Sequence, residues 1–454
     1  MNPRVTIGLA VLLALVGFYI FVIDRPMAQR AQEAQHLVRI PKADITGLTV
    51  VSAKGTVDLA RRDPMHWDVT RPVRVPAASF AVSDLLDTTT SLVPQSTVRE
   101  AGTDLARYGL DKPAVRVTLR ATGGRTVTLE IGGPSPVATA LYARVNPGKA
   151  IYLVDSSMKD SLAKSATDLR QKTLGDFASA DVQEIRIQSP KGALVVTRLG
   201  PDRWRLGGAH PWPADDFKVT DLFFPLTTSD AKAFHDGVTN LAAFGLDHPT
   251  VTVDITLAGR PEPLRFLLAT QGKVTHGIAS GSQTVLDLDA SVQEKLAPDL
   301  LSLVSHRVLP YNPQDLTALV WQRSGKTLEV RRQGPAFSGG GLSESEITDM
   351  FSSVNLLDAD NVDVLRSLPA GSPVFEIYTE GGSDARFAVT FYRQPNGGWI
   401  VSNQTLGLEY RLTANVFDGF PKPIVAFLGL ASVKKAAPAA PAPAVPPAAP
   451  PAQK

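Results

Sequence analysis

The chain has 454 residues, about three times a typical domain of roughly 150, and its 44% apolar and 20% charged content excludes a disordered polymer. Forty-six Lys and Arg against 44 Asp and Glu leave a net charge of +2, without the basic balance of a dedicated nucleic-acid binder. Zero cysteines exclude disulfides, a thiol nucleophile, a cysteine metal site and a lipid-modified N-terminal cysteine.

Residues 1–39 read as a membrane anchor and stalk. Val5 to Ile23 carries no charge and as a helix extends about 28 Å, enough to cross the hydrocarbon core. It exceeds a usual signal-peptide core, and no Ala-x-Ala cleavage site follows Asp24-Arg25-Pro26. An uncleaved, single-pass anchor is therefore expected, with the large C-terminal body across the membrane. Met27 to Val38 is alanine-rich and helix-favouring up to Ile40-Pro41. Pro423 to Val433 is too short to span and reads as a packed terminal helix.

Internal repetition organises the rest. Asp44-Ile-Thr-Gly-Leu-Thr-Val-Val-Ser-Ala-Lys-Gly55 aligns without a gap on Asp181-Val-Gln-Glu-Ile-Arg-Ile-Gln-Ser-Pro-Lys-Gly192, an offset of 137 that also places Arg61 on Arg198, Trp67 on Trp204 and Phe80 on Phe217. Tyr108-Gly-Leu-Asp-Lys-Pro113 falls on Phe244-Gly-Leu-Asp-His-Pro249. A diverged third copy begins at Asp315-Leu-Thr-Ala-Leu-Val-Trp321. Its Val330-Arg-Arg-Gln-Gly-Pro335 matches Val196-Thr-Arg-Leu-Gly-Pro201, Phe337 stands near the Trp204 position, and the Gly-Leu-Asp-x-Pro element is missing. These offsets predict repeat units at 40–177, 178–311 and 312–435, followed by an Ala/Pro-rich tail at 436–454 with seven prolines.

Within the first unit, alternation predicts strands at 47–51, 57–61, 115–119, 127–131, 141–145 and 151–154, with helices near 81–92 and 157–162. Strand runs broken by isolated helices, without βαβ alternation, predict an α+β fold: three tandem β-rich repeats of mainly antiparallel sheet, preceded by one transmembrane helix. Gly-Leu-Asp-x-Pro reads as a turn, because Gly tolerates positive φ and Pro stops a preceding helix.

These residues resemble a known family. The anchor, the tandem units, the aromatic-Gly-Leu-Asp-x-Pro turn, Leu129-Glu-Ile-Gly132 followed by Tyr142-Ala-Arg144 and Ile151-Tyr-Leu-Val154, and Leu169-Arg-Gln-Lys-Thr-Leu174 are similar to the bacterial domain of unknown function numbered 4340. The likeness spans roughly residues 40–310 and carries no catalytic residues to transfer. It implies a bacterial inner-membrane protein with a periplasmic body, accessory to an ABC-type transport system whose permease and ATPase are other chains.

Motifs that would carry chemistry are few. Gly325-Lys-Thr327 lacks the first glycine of a phosphate loop, where Val320 stands. The seven histidines form neither His-x-His nor His-Glu-x-x-His, and no Gly-x-Ser-x-Gly occurs. Ser-x-x-Lys occurs at 156/159, 161/164, 229/232 and 432/435, without the Ser-Asp-Asn or Lys-Thr-Gly partners of an acyl-transfer site. No catalytic residue, metal or cofactor is expected. The leading expectation is a non-enzymatic, membrane-anchored envelope scaffold; the alternative is an extracytoplasmic glycan- or lipid-binding module using Trp204, Trp212 or Trp399. An aromatic ending a repeat strand, as Trp67 and Trp204 do, also fits plain core packing.

Overall fold

A computed structural model describes residues 35–98, 104–136, 139–208, 211–312, 314–382 and 386–430. The expected membrane span at 5–23 and the Ala/Pro tail at 436–454 lie outside them. Among the described residues no helix is long and apolar enough to cross a membrane.

The first sheet contains β1 (Ile45–Ser52), β2 (Gly55–Arg61), β3 (Trp67–Arg71), β4 (Val75–Pro76), β5 (Ser96–Thr97), β6 (Val115–Ala121), β7 (Thr126–Pro134), β8 (Ala140–Asn146) and β9 (Ile151–Asp155). The second contains β10 (Val182–Ser189), β11 (Gly192–Gly200), β12 (Arg203–Leu206), β13 (Pro213–Ala214), β14 (Ala233–His235), β15 (Val251–Leu257), β16 (Leu264–Gln271), β17 (Val274–Ala279) and β18 (Val285–Asp289). The third contains β19 (Leu316–Arg323), β20 (Lys326–Gln333), β21 (Ala336–Gly339), β22 (Asn361–Val364), β23 (Phe375–Gly381), β24 (Ala388–Arg393), β25 (Trp399–Asn403) and β26 (Leu408–Leu412). Their orders are β4-β3-β2-β1-β6-β7-β8-β9-β5, β13-β12-β11-β10-β15-β16-β17-β18-β14 and β21-β20-β19-β23-β24-β25-β26-β22. The third order is the first two with one edge strand removed. The principal helices α1 (Ser79–Thr90), α2 (Asp216–Thr228) and α3 (Glu344–Asn355) each follow the opening strands of a sheet. Mostly antiparallel sheet with few short helices is the observed class.

Register repeats as well as order. Ile45, Leu48 and Val50 are buried, a spacing of three and then two that a straight strand cannot turn to one face. A β-bulge between Ile45 and Gly47 absorbs the extra residue. The same irregularity falls between Val182 and Glu184 and between Leu316 and Ala318, one repeat further on each time. The third sheet shows where the missing turn was lost. Ile185 pairs with Ile255, whereas its counterpart Leu319 pairs with Thr379, so the repeat offset falls from 134 on one strand to 124 on its partner.

Where Gly-Leu-Asp-x-Pro is present it caps a short 3-10 turn. Leu105–Tyr108 ends at Gly109 with φ +63°, and Leu241–Phe244 ends at Gly245 with φ +68°. Gly325-Lys-Thr327, by contrast, belongs to the β19–β20 hairpin, with Ser324 and Gly325 both at positive φ and Arg323 paired with Lys326.

Residue contacts divide the chain into two compact units that split the second repeat between them. One comprises Met1–Asp176, Leu226–His248 and Leu268–Ala290; the other comprises Phe177–Pro225, Pro249–Leu267 and Ser291–Lys454. Each contains one linker between repeats, tied on both sides. In the first unit Gln171 donates to Pro76 O at 2.9 Å, and Ala231 donates to Lys172 O at 2.8 Å. In the second, Ser305 donates to Pro213 O at 2.9 Å, and Ala359 donates to His306 O at 2.9 Å.

Candidate functional site

The second linker lines a concave cleft of about 770 Å³ inside the second unit. Its walls come from β12 and the segment after it, the start of α2, the linker at 305–312, and the turns at 358–359, 386–387 and 405–406. Asp215 positions the helix start: its backbone N–H donates to Leu303 O, its carboxylate accepts from Lys218 N at 3.1 Å, and its carbonyl accepts from Val219 N. Asp216, the next residue, faces a different balance. Burial pushes its carboxyl up to about 6, against the opposing pull of the Arg307 guanidinium. His306 Nδ1 lies 2.8 Å from Ala359 O. Buried Asn403 joins linker to sheet, its Nδ2 donating to Val308 O at 3.1 Å and its Oδ1 accepting from Leu406 N at 3.1 Å.

Of the three tryptophans singled out in the sequence, Trp204 alone lines this cleft. Trp204 lines it but is only 3% exposed, and the Arg198 guanidinium sits 4.3 Å over its ring. Trp212 is 4% exposed; its Nε1 donates to Leu406 O at 2.7 Å, and its neighbours Pro211 and Pro213 line the cleft. Trp399 is 1% exposed and packs among Phe375, Phe391 and Phe417, with ring centroids 5.3 to 6.2 Å away. It belongs to the third sheet's core and does not line the cleft. The arginine-over-aromatic arrangement recurs at Arg61 over Trp67 and Arg332 over Phe337, at 4.9 and 4.5 Å. In all three places the same arginine also donates to a carbonyl at or just before the opening strand: Ala43, Val182 and Leu316. Trp67 and Trp204 are thus core pieces held by a repeated cation.

Sequence reasoning missed Asp216, Arg307 and Tyr311. The available signal was positional, since Arg307 and Tyr311 sit just before the repeat boundary expected at 311/312. Tyr311 is buried, and its hydroxyl has no hydrogen-bond partner, so burial pushes its ionisation well above the ordinary tyrosine range.

Elsewhere the titratable clusters are structural in geometry. Arg170 is buried, makes two bonds to Asp236 at 2.6 and 2.9 Å, and lies 3.9 Å over the Phe234 ring. Asp287 bridges His235 Nε2 at 3.0 Å and His276 Nδ1 at 2.8 Å, and these contacts hold its carboxyl below the usual range against the cost of burial. Among the described residues no group of three His, Asp or Glu is arranged to hold a metal ion, and no lysine is buried. Lys232 of one Ser-x-x-Lys pairs with Asp289 at 2.8 Å; the copy at 432/435 lies outside the described residues.

One surface feature repeats, and in the second repeat it lines the cleft. Phe80 and Phe217, equivalent by the 137-residue offset, both lie in the first turn of their helices and are 85% and 86% exposed.

No curated protein matches this chain. Among solved structures, a DNA polymerase sliding clamp from Pseudomonas aeruginosa with ligand is 9% identical, covering 85% of this chain and 95% of that one at a TM-score of 0.15. A putative DNA polymerase III beta subunit from Eubacterium rectale is 8% identical, covering 84% and 94%, also at 0.15. Scores that low carry no argument about fold or function. The model of the family described as "Domain of unknown function (DUF4340)" matches residues 67–205 and again 204–362. The two matches start at Trp67 and Trp204, the same position of successive repeats. Together they span more than half of the sequence, and the chain belongs to the DUF4340 family.

Proposed function

We propose that this chain is a non-enzymatic, membrane-anchored envelope protein whose repeated β modules present docking surfaces to other components of an ABC-type transport system. The observation that carries the docking element is the pair Phe80 and Phe217. A large aromatic exposed by more than four-fifths, at the same position of two repeats, is costly to leave in water and is the kind of side chain that anchors protein interfaces. Tied linkers support the same reading, because each holds its neighbouring repeat segments by backbone hydrogen bonds on both sides. The anchor, the periplasmic setting and the transport partners come from the sequence reading and the family resemblance. Affinity purification from native membranes tests the proposal. The wild-type chain should recover a permease or ATPase subunit, and Phe80→Ala with Phe217→Ala should reduce that recovery at least severalfold with unchanged thermal stability. Recovery of no envelope component, or equal recovery by the variant, would sink it.

A second reading, an extracytoplasmic ligand-binding module, is favoured by the cleft. Its aromatic and prolyl walls, with Asp216, Arg307 and Asn312 at the surface, suit a polar ligand with apolar faces such as an oligosaccharide. Calorimetric titration with cell-wall glycan fragments, repeated on Arg307→Ala, would distinguish it from the docking role.

A further inference from the structure

In the first two sheets the strand carrying the repeat tryptophan is covered along its outer side. Ala77 N–H donates to Trp67 O at 2.8 Å, and Leu206 N–H donates to Trp212 O at 2.8 Å. The returning linker then covers the covering segment, through Gln171 to Pro76 O and Ser305 to Pro213 O. In the third sheet β21 keeps the inner register, with Arg332 opposite Phe337 as Arg61 is opposite Trp67 and Arg198 opposite Trp204. There the order stops, and among the described residues no strand pairs with β21 on its outer side. β21 ends on Gly339, and Gly340 and Gly341 follow with φ of 66° and 69°, left-handed backbone that breaks the strand. The consequence shows in burial: Trp67 and Trp204 are buried, Phe337 is only half-buried, and Ala336 and Gly339 are exposed. An uncovered edge of this kind is a template for another extended segment.

The covering segments indicate what that segment is. In both, proline immediately precedes the alanine at the edge: Val75-Pro76-Ala77-Ala78 and Pro213-Ala214. Proline suits an edge because it needs no donor there, and in the first sheet the alanine after it supplies the N–H. Pro-Ala-Ala recurs at Pro438-Ala439-Ala440 and Pro447-Ala448-Ala449, and Val445-Pro446 repeats Val75-Pro76. Reach is sufficient. Arg323, at the end of β19, donates to Phe427 O at 3.2 Å, so the last described helix ends beside this sheet. Phe337 lies two strands across and six residues along, roughly 22 Å in all. Eight residues from Leu430 to Pro438 extend up to about 26 Å, and the second Pro-Ala-Ala reaches farther.

We propose that the bare edge of β21 is completed by the chain's own Ala436–Lys454 segment, with an alanine N–H of a Pro-Ala-Ala copy donating to the Phe337 carbonyl as Ala77 donates to Trp67. Hydrogen exchange on the purified full chain tests this. The Phe337 amide, which faces the same side as its carbonyl, should exchange at least about threefold faster in a variant ending at Lys435. Adding a synthetic peptide of residues 436–454 should restore the slower rate. Ala439→Pro with Ala448→Pro in the full chain keeps the length but deletes both N–H donors, and should match the truncation, while exchange in β12 stays unchanged in every sample. Equal Phe337 exchange in the full and truncated chains overturns the proposal, as does faster exchange spread through all three sheets. Protection of β21 that rises with protein concentration also overturns it, in favour of edge pairing between two copies.

Discussion

The two Gly-Leu-Asp-x-Pro turns offer a matched comparison, because Gly109 and Gly245 share a conformation but not a neighbourhood. Alanine at either must adopt positive φ, costing about 1 kcal/mol. At Gly245 that is nearly the whole cost: a Cβ would meet Gln271 Nε2, the end of a flexible side chain, at 3.2 Å and Ala269 Cβ at 3.5 Å. At Gly109 it would stand 2.6 Å from Gly133 N and 3.1 Å from Gly133 Cα, backbone atoms of β7 that move only if the strand moves. Overpacking of that kind adds about 1–3 kcal/mol. Gly109→Ala is therefore expected to destabilise by about 3 kcal/mol and Gly245→Ala by about 1 kcal/mol. Both residues lie in the same compact unit, so denaturant-dependent hydrogen exchange read at β1 and β17 compares them directly. Equal losses, or a larger loss for Gly245→Ala, would refute the view that the first turn is locked by its contact with β7.

Other expectations follow from burial and charge. Trp399→Ala should cost about 3–5 kcal/mol by opening a cavity in the third sheet's aromatic core, whereas Trp212→Phe should cost about 1 kcal/mol for the lost bond to Leu406 O; unfolding midpoints with nearly equal losses would contradict those placements. Asp216 titrates near 6 when folded, above its ordinary 3.8. Between those values the folded state holds the extra proton, so its contribution to stability falls as pH rises through the window. Asp216→Asn should then raise the thermal midpoint at pH 8 and leave it nearly unchanged at pH 3; the opposite pattern would reject a desolvated carboxyl.

Much of the fold was legible because repetition and alternation are local signals. The strands expected at 47–51, 57–61, 115–119, 127–131, 141–145 and 151–154 all lie within β1, β2, β6, β7, β8 and β9, and the 81–92 helix overlaps α1. The first-unit turn was legible for the same reason, since only glycine fits the φ of Gly109 at no cost. Less was legible of the site. Phe80 and Phe217 aligned as a repeat pair, but exposure depends on which face of α1 and α2 meets the sheet: Val82, Leu85 and Leu86 are buried while Phe80 is not. Trp204, Trp212 and Trp399 look alike in sequence, yet only the packing of distant segments brings Trp204 to the cleft, ties Trp212 to Leu406 O and sends Trp399 to a core.

By itself the sequence determined the period, through the 137-residue offset, and the strand alternation within each repeat. Only the tertiary structure decided that the second repeat is divided between two compact units, that Asp216 and Arg307 share a cleft, and that β21 ends its sheet uncovered among the described residues. The physical reason is range. Alternation and turn chemistry act over a few residues, whereas burial of a carboxyl or closure of a sheet edge depends on segments far apart in the chain, whose meeting no local pattern encodes.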